Sequence, residues 1–232
     1  MIQLDNRLEE AIWTLWIRPD FAKGREALGR LEMLAQEGNA DAYYFLARCY
    51  AGEGFIREEF GFPDNDDSLW EENLNKSIEG GSALGMFAGR RFGGFEPRCG
   101  SFVQPPYHSD KEIWDEVCAL ADAGEVFTQY LVANAYYYGD VAGFLSFDAR
   151  NLTNAQIEDA FRRWAITAAK MYEDQFSRGI FNGWGNYMDI FTCGDYGIPK
   201  DEKRAKSVLQ IAADAGYPIP GWKKTLFGWK RK

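Results

Sequence analysis

The stretch Leu34-Ala-Gln-Glu-Gly-Asn-Ala-Asp-Ala-Tyr-Tyr-Phe-Leu-Ala-Arg-Cys-Tyr50 decides the fold. Its Gly38 ends one predicted helix, and apolar or small residues follow at Ala42, Leu46 and Tyr50. Offsets of four, eight and twelve residues from a glycine stay close to one face of a helix with 3.6 residues per turn. The stretch therefore predicts two helices joined by a glycine turn.

Three further segments repeat this glycine-led pattern. They begin at Gly80, Gly124 and Gly179, and a fifth glycine, Gly216, ends the last predicted helix. Successive glycines are 42, 44, 55 and 37 residues apart, so the repeat is irregular. The uneven spacing predicts inserted loops. They fall near residues 55–67, 95–108 and 140–152.

The helices between these segments begin at predicted capping boxes. Three stretches place Glu or Gln three positions after a hydroxyl residue: Ser68–Glu71, Ser109–Glu112 and Thr153–Gln156. Each pair would satisfy the first free N–H groups of a helix. Two N-terminal helices are predicted at residues 4–18 and 22–36, with Asp20 as the candidate cap of the second. Because no segment shows several alternating strand patterns, the sequence predicts an all-α chain.

Composition and charge limit the class of protein. Hydrophobic residues make up 46% and aromatic residues 16% of the 232 positions, which argues against disorder. The net charge is −9, and five cations within the last ten residues, which contain no acid, leave −14 on the first 222. A body this acidic repels phosphate backbones, so nucleic acid is disfavoured and a protein with a basic surface is the expected partner.

No segment predicts membrane insertion or export. The most apolar early stretch, residues 11–17, is too short to span a bilayer, and acids precede it, unlike a signal peptide. We therefore expect a cytoplasmic protein whose membrane contact is disfavoured. Its four cysteines form no C-x-x-C pair and are expected to be reduced, and the single His108 argues against the usual zinc sites.

The run Gly194-Asp-Tyr-Gly-Ile-Pro-Lys-Asp201 carries a resemblance to a known family. With Arg204-Ala205 and Ala212-Ala-Asp-Ala-Gly216 after it, the run is similar to the G-x-G-V-P-x-D, K-A and A-A-x-x-G signature of the Sel-one-like repeat. This family is a relative of the tetratricopeptide repeat. Residues 34–50 resemble the join between two such repeats, and the resemblance covers residues 22–216, with a degenerate second copy and a long insertion in the third.

The resemblance implies a right-handed α-solenoid of stacked helix-turn-helix repeats. Each helix pair then buries its apolar faces against its neighbours, and the stack curves around a concave face. We expect one solenoid domain over residues 1–232. Its parts are N-terminal helices at 1–37, about four degenerate repeats at 38–216 and a basic C-terminal tail at 217–232. The tail is expected to be frayed and solubilising, with contact to anionic lipid as the alternative.

The concave face carries the candidate partner-binding residues. If residues four, eight and twelve after each glycine point into the core, those six and ten after it point into the concavity. Tyr, Trp, Arg and Met are enriched at binding hot spots. These positions and their neighbours give the candidates Tyr44, Arg48, Met86, Arg90, Tyr130, Asn134, Tyr137, Trp184 and Asp189. The alternative is that the Tyr and Met side chains belong to the core of a tightly wound stack.

The acidic residues of the first insertion form a second candidate surface. Asp64, Asp66 and Asp67 would steer the chain toward a basic cleft, or else form a solvated loop. Asp64, Asp66 and Ser68 also imitate the first ligands of a calcium loop. Leu69 and Asn75 stand where that loop needs Gly and Glu, so we expect no calcium site.

No motif in the chain predicts catalysis. The sequence contains no complete phosphate-binding glycine loop, no G-x-S-x-G and no H-E-x-x-H. We therefore expect a non-enzymatic protein that needs no cofactor or metal. It would bind and inhibit a protein partner, as an immunity protein neutralises a bacterial toxin or effector. The alternatives are a signalling or assembly adaptor that binds peptides, and an uncharacterised hydrolase that uses carboxylates such as Glu71 and Glu72.

Overall fold

The computed structural model describes residues 4–51, 66–93, 109–219, 221–226 and 228–232. Within these ranges the chain is mostly helical, with eleven α-helices and one two-stranded antiparallel sheet. The predicted predominance of helix is confirmed, whereas the right-handed solenoid stays a prediction. Among the described helices, none is long and apolar enough to cross a membrane.

The described elements are eleven α-helices and two strands. In chain order the helices are α1 Asn6–Ile12, α2 Gly24–Gln36, α3 Ala40–Tyr50, α4 Asp67–Glu79, α5 Ala83–Gly93, α6 Asp110–Asp122, α7 Val126–Tyr138, α8 Val141–Phe144, α9 Asn154–Ser177, α10 Trp184–Cys193 and α11 Glu202–Asp214. The strands are β1 Trp222–Thr225 and β2 Gly228–Arg231. A π-helical turn, Trp13–Ile17, extends α1, so both predicted N-terminal helices are confirmed to within a few residues.

The chain groups into two compact units. Unit 1 contains Met1–Gln129 with Ala142–Ser146, and unit 2 contains Tyr130–Val141 with Phe147–Lys232. Both units are built from helices that pack against their neighbours in sequence. The single domain over residues 1–232 stays a prediction.

Most of the predicted glycine turns are confirmed by the backbone. Gly38, Gly124, Gly179 and Gly216 follow helix ends with φ between +74° and +98°, a region that glycine enters without steric cost. Gly80 also ends a helix as predicted, since it caps α4 with φ −75°, and the left-handed residue of this turn is the next one, Gly81, with φ +83°.

Two of the three predicted capping boxes are confirmed. Ser109–Glu112 and Thr153–Gln156 make both reciprocal hydrogen bonds at the starts of α6 and α9. The box at Ser68–Glu71 is wrong, because the Asp66 carboxylate caps α4 instead and accepts the N–H of Leu69 at 2.9 Å. Asp20 does not cap α2. Its carboxylate accepts the N–H of Ala22 at 3.1 Å, in the turn before that helix begins.

Unit 1 is held by aromatic packing and one close helix crossing. The rings of Trp16, Phe45 and Phe127 lie with centroids 5.2 to 5.7 Å apart and are buried. Helices α4 and α5 approach at Gly85, where an added Cβ would collide with the Ser77 side chain. Only a glycine fits at that crossing without a shift of the neighbouring helix.

Unit 2 is built on the buried faces of α9, α10 and α11. Tyr172, Phe176 and Phe181 occupy its centre, and the predicted apolar positions of α11 are buried: Ala205, Val208, Leu209 and Ala212. The expectation of a frayed tail at 217–232 is wrong, because β1 and β2 form a hairpin. Trp222 and Lys224 point to the same side of β1, and Lys224 lies opposite Trp229, so the two tryptophans share one face. Both pack against this core.

Candidate functional site

The run of residues 194–201 forms a tight loop between α10 and α11. Gly194, Tyr196 and Gly197 have φ of +72°, +54° and +68°, so three of its four leading residues are left-handed. Glycine tolerates this conformation, but tyrosine does so only at a cost of about 1–3 kcal/mol. At the end of the loop Asp201 caps α11 by accepting the N–H of Arg204 at 2.9 Å.

Helix α9 holds Tyr196 in this conformation. The Arg162 Nε donates to the Tyr196 carbonyl oxygen at 2.6 Å, and the Phe161 ring stacks on the Tyr196 ring with centroids 5.2 Å apart. The Tyr196 side chain remains 40% exposed. The loop therefore presents an aromatic ring to solvent in a fixed position.

This loop closes one side of a small surface pocket within unit 2, which we call the Tyr–Asp pocket. The pocket encloses about 280 Å³, including its open mouth. Tyr137 from α7, Asp189 from α10, and Asp195 and Tyr196 from the loop supply its polar groups. Its apolar lining consists of Ala165, Ile190 and Ile198.

The charge of the Tyr–Asp pocket is negative. In the described part of the chain, neither Asp189 nor Asp195 forms an ion pair with a lysine or arginine. The Tyr137 hydroxyl donates to Asp189 Oδ2 at 3.5 Å, a long hydrogen bond. Burial, together with the neighbouring Asp189 carboxylate, raises the pKa of the Tyr137 phenol, so the ring stays neutral beside the carboxylates.

Two phenol rings and two carboxylates around an apolar floor suit one kind of ligand group. A carboxylate attracts an ammonium or guanidinium group, and the face of an aromatic ring does so as well. The methylene stem of a lysine or arginine packs on apolar surface while its charged end stays near polar groups. The chemistry of the pocket therefore favours the charged end of a lysine or arginine side chain.

A pocket in unit 1 shows the contrast. It lies between α1 and α2, and its charges are already paired within the chain. Arg30 bridges Glu10 and also contacts Glu26 at 3.5 Å. Because this pocket has no unpaired carboxylate, it shows no comparable preference for a cationic ligand.

Three of the residues expected on the concave face are buried instead. Tyr44, Met86 and Asn134 are only 1%, 2% and 6% exposed, so their predicted surface positions are wrong. For Tyr44 and Met86 the alternative reading was correct, because helices α3 and α5 are covered on two sides and have more than one buried face. Asn134 is buried for a different reason, since it joins a polar network.

That network connects three helices of unit 2. Asn134 Oδ1 accepts the hydroxyl of Tyr172 at 2.6 Å and the side-chain amide of Asn186 at 2.8 Å. The Tyr172 oxygen also accepts the Asn186 amide at 3.3 Å. Asn134 is therefore a structural residue of the α7, α9 and α10 junction.

The two arginines expected to meet a partner contact their own chain. The Arg90 guanidinium donates two hydrogen bonds, of 2.5 and 2.9 Å, to the carboxylate of Asp110 at the start of α6. The Arg48 guanidinium lies 4.8 Å from the centre of the Phe127 ring and donates to the Tyr44 hydroxyl at 3.0 Å. Both side chains are partly buried, so their positions do not support the expected place on a partner-binding face.

The other predicted site residues divide between the two units. The structure brings Tyr137 and Asp189 together, as described, in the Tyr–Asp pocket. Tyr130 and Trp184 are half-buried against the core of unit 2. In unit 1, Asp66 caps α4, Asp67 is exposed in the first turn of that helix, and Asp64 lies outside the described residues. The partner-binding role of these residues stays a prediction.

Sequence reasoning missed two of the four polar residues of the pocket. Asp195 and Tyr196 stand inside the motif run, and the flanking Gly194 and Gly197 were a signal that this tyrosine is displayed on a tight loop. Arg162, which holds the loop, lies 34 residues away in sequence and carries no local signal. Its contact is visible only in the folded chain.

A metal site and the carboxylates considered for hydrolysis are the remaining candidates. The described parts of the chain contain no group of three or more His, Cys, Asp or Glu side chains suited to a metal ion. Glu72, one of the carboxylates considered for hydrolysis, is exposed and pairs with Lys76 at 2.6 Å. No protein-family model, curated protein or solved structure matches this chain. The resemblance to the Sel-one-like repeat accordingly stays a prediction.

Proposed function

We propose that this chain is a non-catalytic helical scaffold that binds a protein partner with a basic surface and inhibits it. The observation that carries the proposal is the Tyr–Asp pocket, with two carboxylates that no lysine or arginine of the described chain neutralises. A lysine or arginine of the partner would supply that missing charge.

The pocket favours such binding because it is already formed. Tyr196 is fixed by Arg162 and Phe161, so its ring does not have to be ordered when the partner arrives. Fixing a binding group before association lowers the entropy that binding costs. Buried tyrosines with a polar end are also common anchors of protein interfaces.

The charge of the whole chain supports the same choice of partner. A net charge of −14 on the first 222 residues attracts a basic protein over a distance and speeds encounter. Within this proposal the partner is a toxin or effector, the chain acts as its immunity protein, and the two meet in the cytoplasm. The proposal also includes the stacked Sel-one-like architecture as the scaffold.

The experiment is affinity capture from lysate of the source cell at about 0.15 M salt, with three versions of the full chain. They are the natural sequence, Asp189→Asn with Asp195→Asn, and a control, Glu158→Gln with Asp214→Asn, that removes the same charge elsewhere in unit 2. We expect one stoichiometric basic protein with the natural chain and the control. The pocket variant should lose about tenfold or more of the captured protein.

The captured protein is then purified and assayed with and without the chain. Loss of its activity at equimolar chain would support inhibition. Equal capture by the pocket variant would remove the Tyr–Asp pocket from the proposal, and several weakly bound peptides in place of one protein would favour an adaptor.

A further inference from the structure

The hairpin formed by β1 and β2 has two different faces. Opposite residues of an antiparallel pair lie on the same side, and here Trp222 faces Arg231 while Lys224 faces Trp229. Both tryptophans pack against the core of unit 2, and the Arg231 guanidinium lies 5.6 Å from the centre of the Trp222 ring. This face attaches the hairpin to the unit.

The other face presents a cationic pair. Lys223 stands directly opposite Lys230, and both side chains are exposed. Like charges opposite each other on a strand pair destabilise it, so hairpin folding does not explain their presence. The whole segment from residue 215 to residue 232 contains no acid that would balance them.

An apolar side chain stands at the turn between the strands. Leu226 is 99% exposed, the largest exposure of any large hydrophobic residue in the described chain. It lies two residues after Lys224 and four before Lys230, so it is surrounded in sequence by cations. The turn therefore combines an exposed apolar side chain with nearby cations, which makes it amphipathic.

We infer that this hairpin binds the surface of a bilayer that contains anionic lipid, with Leu226 inserted and Lys223 and Lys230 against the head groups. A membrane interface offers acyl chains to an apolar side chain and negative head groups to the lysines around it. Lysines reach such head groups through their flexible stems. This inference is independent of the Tyr–Asp pocket, since the two share no residue.

Nucleic acid fits the hairpin less well. Proteins bind single strands by stacking bases on aromatic rings, but Trp222 and Trp229, the aromatic residues of the hairpin that the structure describes, pack against the core of unit 2. Leu226 offers no flat ring for a base. Phosphates alone would use the lysines and leave the exposed leucine unexplained.

The acidity of the remaining chain does not forbid this contact. Exposed charges are screened over about 8 Å at physiological ionic strength, so the hairpin acts locally. The anionic leaflet of a cell membrane faces the cytoplasm, where we propose that the chain acts. The folded hairpin therefore favours membrane contact, which the short apolar stretch at residues 11–17 did not.

The test measures sedimentation of the full chain with two kinds of vesicle, pure phosphatidylcholine and phosphatidylcholine with about 30 mol% phosphatidylserine. We expect binding to the second kind only. Lys223→Gln with Lys230→Gln should lower the partition coefficient about 30-fold, because each lysine near an anionic surface contributes about fivefold. Leu226→Ser should lower it about tenfold or more through the lost apolar contact.

A matched control separates local from overall charge. Lys170→Gln with Lys203→Gln removes two exposed charges from unit 2 and should change the partition coefficient less than about twofold. The Lys223/Lys230 variant should melt no lower than the natural chain, because it removes a repulsive pair. The inference is overturned by absent binding to anionic vesicles, by equal loss in the control, by full binding of the Leu226→Ser variant, or by tighter binding to a DNA or RNA oligonucleotide than to vesicles.

Discussion

Replacing Asn134 by alanine should loosen the junction of α7, α9 and α10 in unit 2. The Asn134 side-chain oxygen accepts hydrogen bonds from Tyr172 at 2.6 Å and from Asn186 at 2.8 Å. Tyr172 has no exposed surface, so water cannot replace the lost acceptor. The phenol proton is then buried without a partner.

The size of the effect follows from these contacts. Each hydrogen bond contributes about 1 kcal/mol net, and a buried donor left unsatisfied costs about 1–3 kcal/mol. Asn134→Ala should therefore lower the free energy of unfolding by about 3 kcal/mol. Tyr172→Phe should cost only about 1 kcal/mol, because Asn134 Oδ1 keeps the Asn186 amide as its donor.

The double variant tests this reasoning more sharply than either single one. Once the phenol is absent, Asn134→Ala no longer leaves an unsatisfied hydroxyl. The two changes should therefore cost about 1–2 kcal/mol less together than the sum of their separate costs. A purely additive result would contradict the network.

Urea unfolding gives the three free energies, and hydrogen exchange over residues 130–138, 165–177 and 184–193 assigns the loss to unit 2. A surface residue changes stability by less than about 0.5 kcal/mol. If Asn134→Ala stays within that limit and exchange in these segments is unchanged, Asn134 is not the structural residue that the contacts indicate.

Two further predictions concern unit 1. Gly85→Ala should lower the free energy of unfolding by about 1–3 kcal/mol, because the added Cβ would meet Ser77. Gly29→Ala in α2 should raise the free energy of unfolding by up to about 1 kcal/mol, because its Cβ meets nothing within 4 Å. Urea unfolding would contradict this pair of predictions if both changes had the same sign. Burial raises the pKa of Asp41, although the Ser82 hydroxyl donates to its carboxylate at 2.5 Å. The folded chain therefore keeps the Asp41 proton to higher pH than the unfolded chain does. Unit 1 should lose stability as the pH rises from the ordinary aspartate pKa through the raised one. Asp41→Asn should flatten this dependence of the free energy of unfolding on pH, measured from about pH 4 to about pH 8.

Local signals in the sequence predicted the helix boundaries well. A left-handed glycine and a capping box each depend on residues within one turn of the chain, and both act without help from distant parts. Gly38, Gly124, Ser109 and Thr153 were therefore placed correctly. Gly80 also ends its helix, but the sequence did not show that the neighbouring Gly81 is the left-handed residue of that turn.

The exposed face of each helix was predicted less well, because the glycine spacing was interpreted as one buried face for each helix. Tyr44 and Met86 lie off that face and are nevertheless buried, since their helices contact neighbours on more than one side. Arg90 shows that the sequence pattern also failed to predict which charged residues pair with each other. Its partner Asp110 lies 20 residues away, across a stretch that gave no local signal of the ion pair.

The hairpin shows how composition can hide structure. The five cations near the chain end favoured a solvated tail, although Trp222 and Trp229 are the kind of residue that a short strand pair needs for attachment. The positions of both rings against the core of unit 2 were not encoded in any short pattern. They depend on the register that pairs Lys224 with Trp229.

The two surfaces proposed for unit 2 require different ligands. A basic partner that enters the Tyr–Asp pocket would be repelled by Lys223 and Lys230, and an anionic membrane would be repelled by Asp189 and Asp195. One ligand of uniform charge therefore cannot explain both surfaces. The cationic hairpin is thus not accounted for by the binding of a basic protein, and it needs an anionic ligand of its own.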